Sequence, residues 1–192
     1  VDWINLLKNS PVIPAVRDMT LLPRAIKSGA PVIFLLTGEI NTLEDIIRRI
    51  HDNGQKAFIH IDLMEGLAAD KAGIKFVAHR LKPDGIVTTR NVLIKHAHDW
   101  GLSTVQRLFL IDSLAIKNGV TTARQTGTDA VELLPGILPP DFVRQVVEEV
   151  RVPVITGGLV KTWDDVARAL AGGARGVTTS ATELWGQTSR PG

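Results

Sequence analysis

Eight short apolar, β-branched runs punctuate the chain, and a stretch of roughly three helical turns follows most of them. The runs are Val12–Val16, Val32–Leu36, Ala57–Ile61, Gly85–Thr89, Thr104–Leu110, Ala130–Leu134, Val154–Thr156 and Gly176–Thr179. They recur at about the length of one compact βα unit. Between them the spacing predicts helices over Leu21–Lys27, Leu43–His51, Asp70–Arg80, Val92–Trp100, Ser113–Gln125, Pro140–Val150 and Thr162–Ala171. Strands apolar on both faces and separated by helices belong in a parallel sheet covered by helices. Eight such units predict a short (β/α)8 TIM-barrel-like fold, and an open doubly wound sheet is the alternative. After Ser180 only Ala181–Trp185 is left to be helical, so the final helix is expected to be truncated. No linker or shift of composition divides the chain, so residues 1–192 read as a single domain.

Start and stop signals support the helices. Asn41 or Thr42 precedes Glu44 and Asp45, and Thr162 precedes Asp164 and Asp165, which puts acids in first helical turns. Glycines at 29, 54 and 173 follow helices.

Composition excludes several chemistries. The chain has no cysteine, so disulfides, thiolate catalysis and cysteine–zinc sites are out. The longest aliphatic or aromatic run, Val32–Leu36, is far too short to span a bilayer. Residues 1–8 carry no signal-peptide core, and the expectation is a cytoplasmic protein with no membrane partner. Net charge is +2, but residues 70–128 hold nine Lys and Arg against four acids. That local bias reads either as a solvated face or as a weak electrostatic footprint.

Function in such folds gathers at the C-terminal ends of the strands. After the seventh run come Gly157 and Gly158, where a missing Cβ lets backbone approach an anion closely. At the matching place one unit later come Thr179 and Ser180, expected to open a short helix whose N–H groups favour phosphate. Arg107 and Glu132 lie inside strands, where neither charge belongs without a partner. They read either as an internal ion pair or as the polar floor of a small-ligand site. His60 and Asp62, two apart, are expected to point the same way. General acid–base candidates are His60, Asp62, Glu132 and Glu39. No metal site is expected: His96 and His98 read as an exposed helix face, and His51 and His79 lack ligands at the required spacing. No nucleophile elbow, Walker loop or dinucleotide fingerprint is present.

The strand-end sequences together carry a family resemblance. They are Ile13–Arg17, His60–Leu63, Gly85–Arg90, Gln106–Asp112, Val131–Gly136, Thr156–Gly158 and Val177–Ser180. In this order the chain resembles the glycerol uptake operon antiterminator regulatory proteins, from about Pro11 to Trp185. The resemblance implies a barrel that senses glycerol 3-phosphate and acts on the leader mRNA of glycerol-utilisation genes, without catalysis and without a cofactor beyond this effector. For such an effector the strand-end and in-strand polar residues supply the expected ligand site: Arg17, Asp62, Arg107, Glu132, Gly157, Gly158, Thr179 and Ser180. Self-association into a homo-oligomer is compatible with the resemblance. The middle basic segment offers Lys71, Lys75, Arg80 and Lys82 as RNA contacts. There is no stacking-aromatic motif for RNA, and most of the phenylalanines read as core. Gln187–Gly192 reads as an unstructured or truncated end. A phosphate-ligand barrel enzyme, an isomerase or lyase, is the alternative.

Overall fold

The computed structural model describes residues 1–189. Its eight parallel strands close into a barrel in chain order. They are β1 (Val12–Val16), β2 (Val32–Leu35), β3 (Lys56–His60), β4 (Gly85–Thr88), β5 (Ser103–Phe109), β6 (Ala130–Leu134), β7 (Val154–Gly157) and β8 (Gly176–Thr179). Closure is direct: Val12, Ile13 and Pro14 of β1 pair with Val177, Thr178 and Thr179 of β8. Helices α1 (Trp3–Leu7), α2 (Leu22–Lys27), α3 (Ile40–Asp52), α4 (Lys71–Phe76), α5 (Asn91–Asp99), α6 (Ser113–Thr126), α7 (Pro140–Val150) and α8 (Trp163–Ala171) complete the chain.

Two cores result. The larger lies between strands and helices, where Leu43, Ile47 and Ile50 of α3 meet Ile33, Leu35 and Ile59. The smaller fills the barrel itself, with Ile13, Val32, Phe34, Phe58, Val87, Val105, Ala130 and Ile155. Its lower end is stoppered by α1, which the sequence reading missed. Trp3 and Leu7, one turn apart on that helix, are both buried. The Trp3 ring sits 4.9 Å from Phe58 and 6.4 Å from Phe34. Room for this plug comes from missing side chains: a Cβ on Gly176 would lie 2.7 Å from Leu7, and one on Gly85 would lie 2.3 Å from Phe58.

Several boundaries differ from the sequence reading for local reasons. Helix α3 starts at Ile40, before Asn41 and Thr42, because backbone bonds between the β2 and β3 loops fix its entry: Ile40 N–H donates to Glu65 O at 3.0 Å, and Glu65 N–H to Gly38 O at 2.8 Å. The helix expected over Asp70–Arg80 is α4 followed by a wider π turn at Val77–Leu81, which ends where Lys82 turns left-handed (φ 52°). Thr162 does cap α8, in a reciprocal box with Asp165. After β8 the segment Ala181–Trp185 makes turns and no helix, so the last unit is truncated further than expected. Trp185 folds back there and donates Nε1–H to Thr179 O at 2.8 Å. Of the end read as unstructured, residues 190–192 lie outside the described residues.

Candidate ligand site at the barrel mouth

Inward residues of alternate strands stack in layers in an eight-stranded barrel. Following the pairing register round the sheet brings Ala15, His60, Arg107 and Gly157, from the four odd-numbered strands, to one level near the C-terminal end. Two members are small and two are large and polar. The small pair leaves the layer half empty, and above it opens a cavity of about 430 Å³.

The cavity floor is an ion pair. Arg107 faces Glu132 in the β5–β6 register, and its Nε–H donates to Glu132 Oε2 at 2.8 Å. The other carboxylate oxygen accepts from the Thr178 hydroxyl at 2.5 Å. The Glu132 side chain is 1% exposed and that of Arg107 9%. Glycine at 157 serves this packing, since a Cβ there would lie 2.0 Å from Thr178 Oγ1 and 2.5 Å from Glu132 Oε1. Gly158, at φ 80°, makes the turn at the cavity wall.

Most of the residues singled out from sequence meet here. Arg17, Arg107, Glu132, Gly158, Thr179 and Ser180 all line the cavity, with Gly157 just behind Glu132 and Thr178. Two refinements follow. No helix opens at Thr179–Ser180, so no helix dipole aims at the cavity. The Thr179 hydroxyl is also committed to the frame: it donates to Val160 O at 2.7 Å and accepts from Ala181 N–H at 3.0 Å. Lys161, missed from sequence, adds an exposed cation to the wall. Its signal was its place four residues after Gly157, in the same strand-end loop.

Asp62 does not line this cavity. The strand ends at His60 and a 3-10 turn follows at Ile61–Leu63, so Asp62 leaves the barrel-facing alternation, although its Oδ2 stays 3.7 Å from His60 Nδ1. Asp62 instead accepts from the Thr88 hydroxyl at 2.8 Å and Thr89 N–H at 3.2 Å, and pairs with Arg90 Nε at 3.1 Å. His98 is not a free helix-face residue either: it bonds Thr104 Oγ1 at 3.0 Å and Asp129 Oδ2 at 3.2 Å. Among the described residues no group of three or more His, Asp or Glu could hold a metal ion.

His60 is nearly inaccessible, and burial together with the Arg107 charge pushes its pKa down to about 4, outweighing Asp62. Its ordinary value is near 6.5, so an unfolded chain takes up a proton that the folded one refuses between those limits. The stability this contributes is present above pH 6.5 and is lost as pH falls toward 4. Urea midpoints should therefore drop between pH 7.5 and pH 5, and drop less in His60→Gln; an equal drop in both would assign the acid sensitivity elsewhere.

The basic cluster stands apart from the cavity, on the outer wall after β3. Lys71, Lys75, Arg80 and Lys82 are all exposed. Arg80 pairs with Glu44 at 3.3 Å, and Lys75 Nζ lies 5.3 Å over the Trp100 ring, which also meets His79 edge-on. Aromatic surface is more available than the sequence suggested: Phe76, Phe109 and Phe142 are exposed, and only Phe34 and Phe58 are core.

Residues 12–185 match the model of the glycerol-3-phosphate responsive antiterminator family. The chain belongs to this family. The antiterminators are regulators, and the similar proteins agree with that membership along the whole barrel. The glycerol uptake operon antiterminator regulatory protein of Listeria monocytogenes is 34% identical with a TM-score of 0.87, covering 92% of this chain and 95% of that one. A glycerol uptake operon antiterminator-related protein from Thermotoga maritima is 30% identical with a TM-score of 0.81, covering 92% and 98%. The uncharacterized protein YgcP of Escherichia coli K12 is 36% identical over 182 residues, 95% of each chain. As an antiterminator family member, this chain is a regulator built on a closed eight-stranded barrel. No helix among its described residues is long and apolar enough to cross a membrane.

Proposed function

We propose that this antiterminator binds glycerol 3-phosphate in the mouth cavity and, in response, engages the leader mRNA of glycerol-utilisation genes in the cytoplasm. The observation that carries the ligand half is the cavity's polarity: exposed Arg17 and Lys161 flank a buried Arg107–Glu132 pair. Cations at the rim suit a phosphate, and a buried carboxylate–guanidinium floor suits hydroxyls, which can both donate and accept. Glycerol 3-phosphate is then the effector, and no other cofactor is required.

The RNA half is supported by the family and by the outer cluster of Lys71, Lys75, Arg80 and Lys82. Lys71 and Lys75 share a helix face. Such cations contact phosphates and supply affinity more than sequence choice. Fluorescence titration of a leader RNA at several salt concentrations, with and without glycerol 3-phosphate, tests this directly. Binding should depend on the ligand, and log K should fall linearly with log salt. Changing both Lys71 and Lys75 to Gln should reduce the slope by roughly 0.7 per lost contact while leaving ligand affinity intact. An unchanged slope would make the cluster a solvated face, and absence of binding under every condition would contradict the RNA role.

A further inference from the structure

The rim of the barrel mouth between β5 and β7 is apolar and uncovered. Phe109 ends β5, Ile111 lies in the loop after it, and Leu114 is in the first turn of α6; Ile137 follows β6 and Leu159 follows β7. All five are exposed, from 44% at Ile137 to 83% at Ile111. The strand ends that carry them are bonded to one another: Leu110 N–H donates to Leu134 O and Gly136 N–H to Gly158 O, both at 2.8 Å. The five side chains therefore occupy one sector, on three consecutive strand ends. Together they present on the order of 500 Å² of apolar surface, at the upper end of what a monomer carries in one patch.

Leu159 stands there under strain. Its backbone is left-handed, at φ 63°, a conformation that suits glycine or asparagine and that other residues adopt only under constraint. Its side chain is 65% exposed, so burial within the chain does not offset that cost.

Area and charge together point to the occupant. A standard interface takes about 800 Å² from each partner, of which about 65% is apolar in homodimers, so it asks for about 500 Å² of apolar surface. The rim supplies that amount. Its charges lie at opposite ends. Asp112 follows Ile111 at the β5 end, and Lys161 lies two residues beyond Leu159 at the β7 end, both exposed. A two-fold axis near Ile137 sets the β5 end of one copy on the β7 end of the other, so acid meets base twice. RNA fits this rim poorly, because four of the five side chains are aliphatic and offer no face for base stacking. The basic cluster lies elsewhere, after β3, four strands from β7 round the barrel.

We propose that a second copy of this chain docks on the β5–β7 rim, through Phe109, Ile111, Leu114, Ile137 and Leu159, to form a two-fold dimer. Leu159 also lines the mouth cavity, so the partner stands beside its opening. The basic cluster of each copy stays uncovered. The inference is independent of which ligand the cavity takes.

Sedimentation equilibrium of the full chain over a concentration series tests it, with no ligand added. Wild type should pass reversibly from monomer to dimer, with a Kd in the micromolar range or below. Ile111→Asp should raise that Kd tenfold or more. Asp112→Asn keeps an oxygen for the Ala115 N–H that Asp112 now caps at 2.7 Å, and should raise the Kd by twofold to fivefold through the lost charge alone. Leu159→Gly relieves the left-handed strain, so it should raise the melting temperature of the monomer and still weaken association. Ile4→Asp, an equally exposed apolar site on α1 at the other end of the barrel, should leave the Kd unchanged. Thermal melts establish that each variant is folded. A wild type that stays monomeric at every concentration overturns the inference. So does a dimer that Ile111→Asp and Leu159→Gly leave intact, or one that Ile4→Asp weakens as much. Open-ended association that grows past the dimer would overturn the two-fold arrangement.

Discussion

Arg107→Met should cost about 3–5 kcal/mol of folding stability, the penalty for removing one partner of a buried ion pair. Glu132 would be left 1% exposed, with the Thr178 hydroxyl as its remaining polar contact. Glu132→Gln alone should be milder, because an amide still bonds Thr178 yet leaves the Arg107 guanidinium without its acid. Adding Glu132→Gln to Arg107→Met should return part of the loss, since the stranded charge is then gone. Denaturant titrations of the two single variants and the double variant give the coupling directly. Groups in contact within one network couple by roughly 0.5–3 kcal/mol, and the upper part of that range is expected here. Strictly additive losses would mean that the 2.8 Å contact between Arg107 and Glu132 carries no energy of its own.

The barrel was legible because each strand is buried on both faces and therefore reads as a short apolar run. All eight runs are strands, and β1, β6 and β8 match to the residue. The ion pair was legible by elimination, as two charges inside strands demand partners. Other parts depend on contacts that sequence spacing does not encode. Nothing in Trp3–Leu7 says that this single turn and a half sits beneath a barrel; the hollow it fills exists only because Gly85 and Gly176 lie on distant strands. Asp62 lies near His60 as expected but off the cavity lining, because a strand's alternation holds only while the strand lasts and this one ends at His60. Phe109 reads as core from its strand but projects beyond the last closed layer, 55% exposed at the rim. Membership of a regulatory family was legible through the strand-end sequences, whereas periodicity alone reached only a barrel.

Gly158→Val should weaken glycerol 3-phosphate binding by about 2 kcal/mol or more, the scale of a lost charge-assisted contact. Two effects add. A left-handed backbone at φ 80° disfavours a β-branched residue, so the loop must shift. A Cβ there already touches Leu134 at 3.4 Å, so the extra methyl groups turn into the cavity or push its wall. Gly158→Ala shares the backbone strain but adds no methyl groups beyond the Cβ, so it should lose less. Equal and undiminished affinity in both variants would place the phosphate away from this turn.

The proposed site takes a phosphate and a polyol together in one cavity. Titration calorimetry of the wild-type chain with glycerol 3-phosphate, glycerol and inorganic phosphate, each alone, tests it most directly. Glycerol 3-phosphate should bind with one site per chain, phosphate should bind more weakly at the same place and compete, and glycerol alone should give no saturable heat. A chain that binds glycerol as well as its phosphate ester, or that gives no heat with glycerol 3-phosphate, would contradict the account.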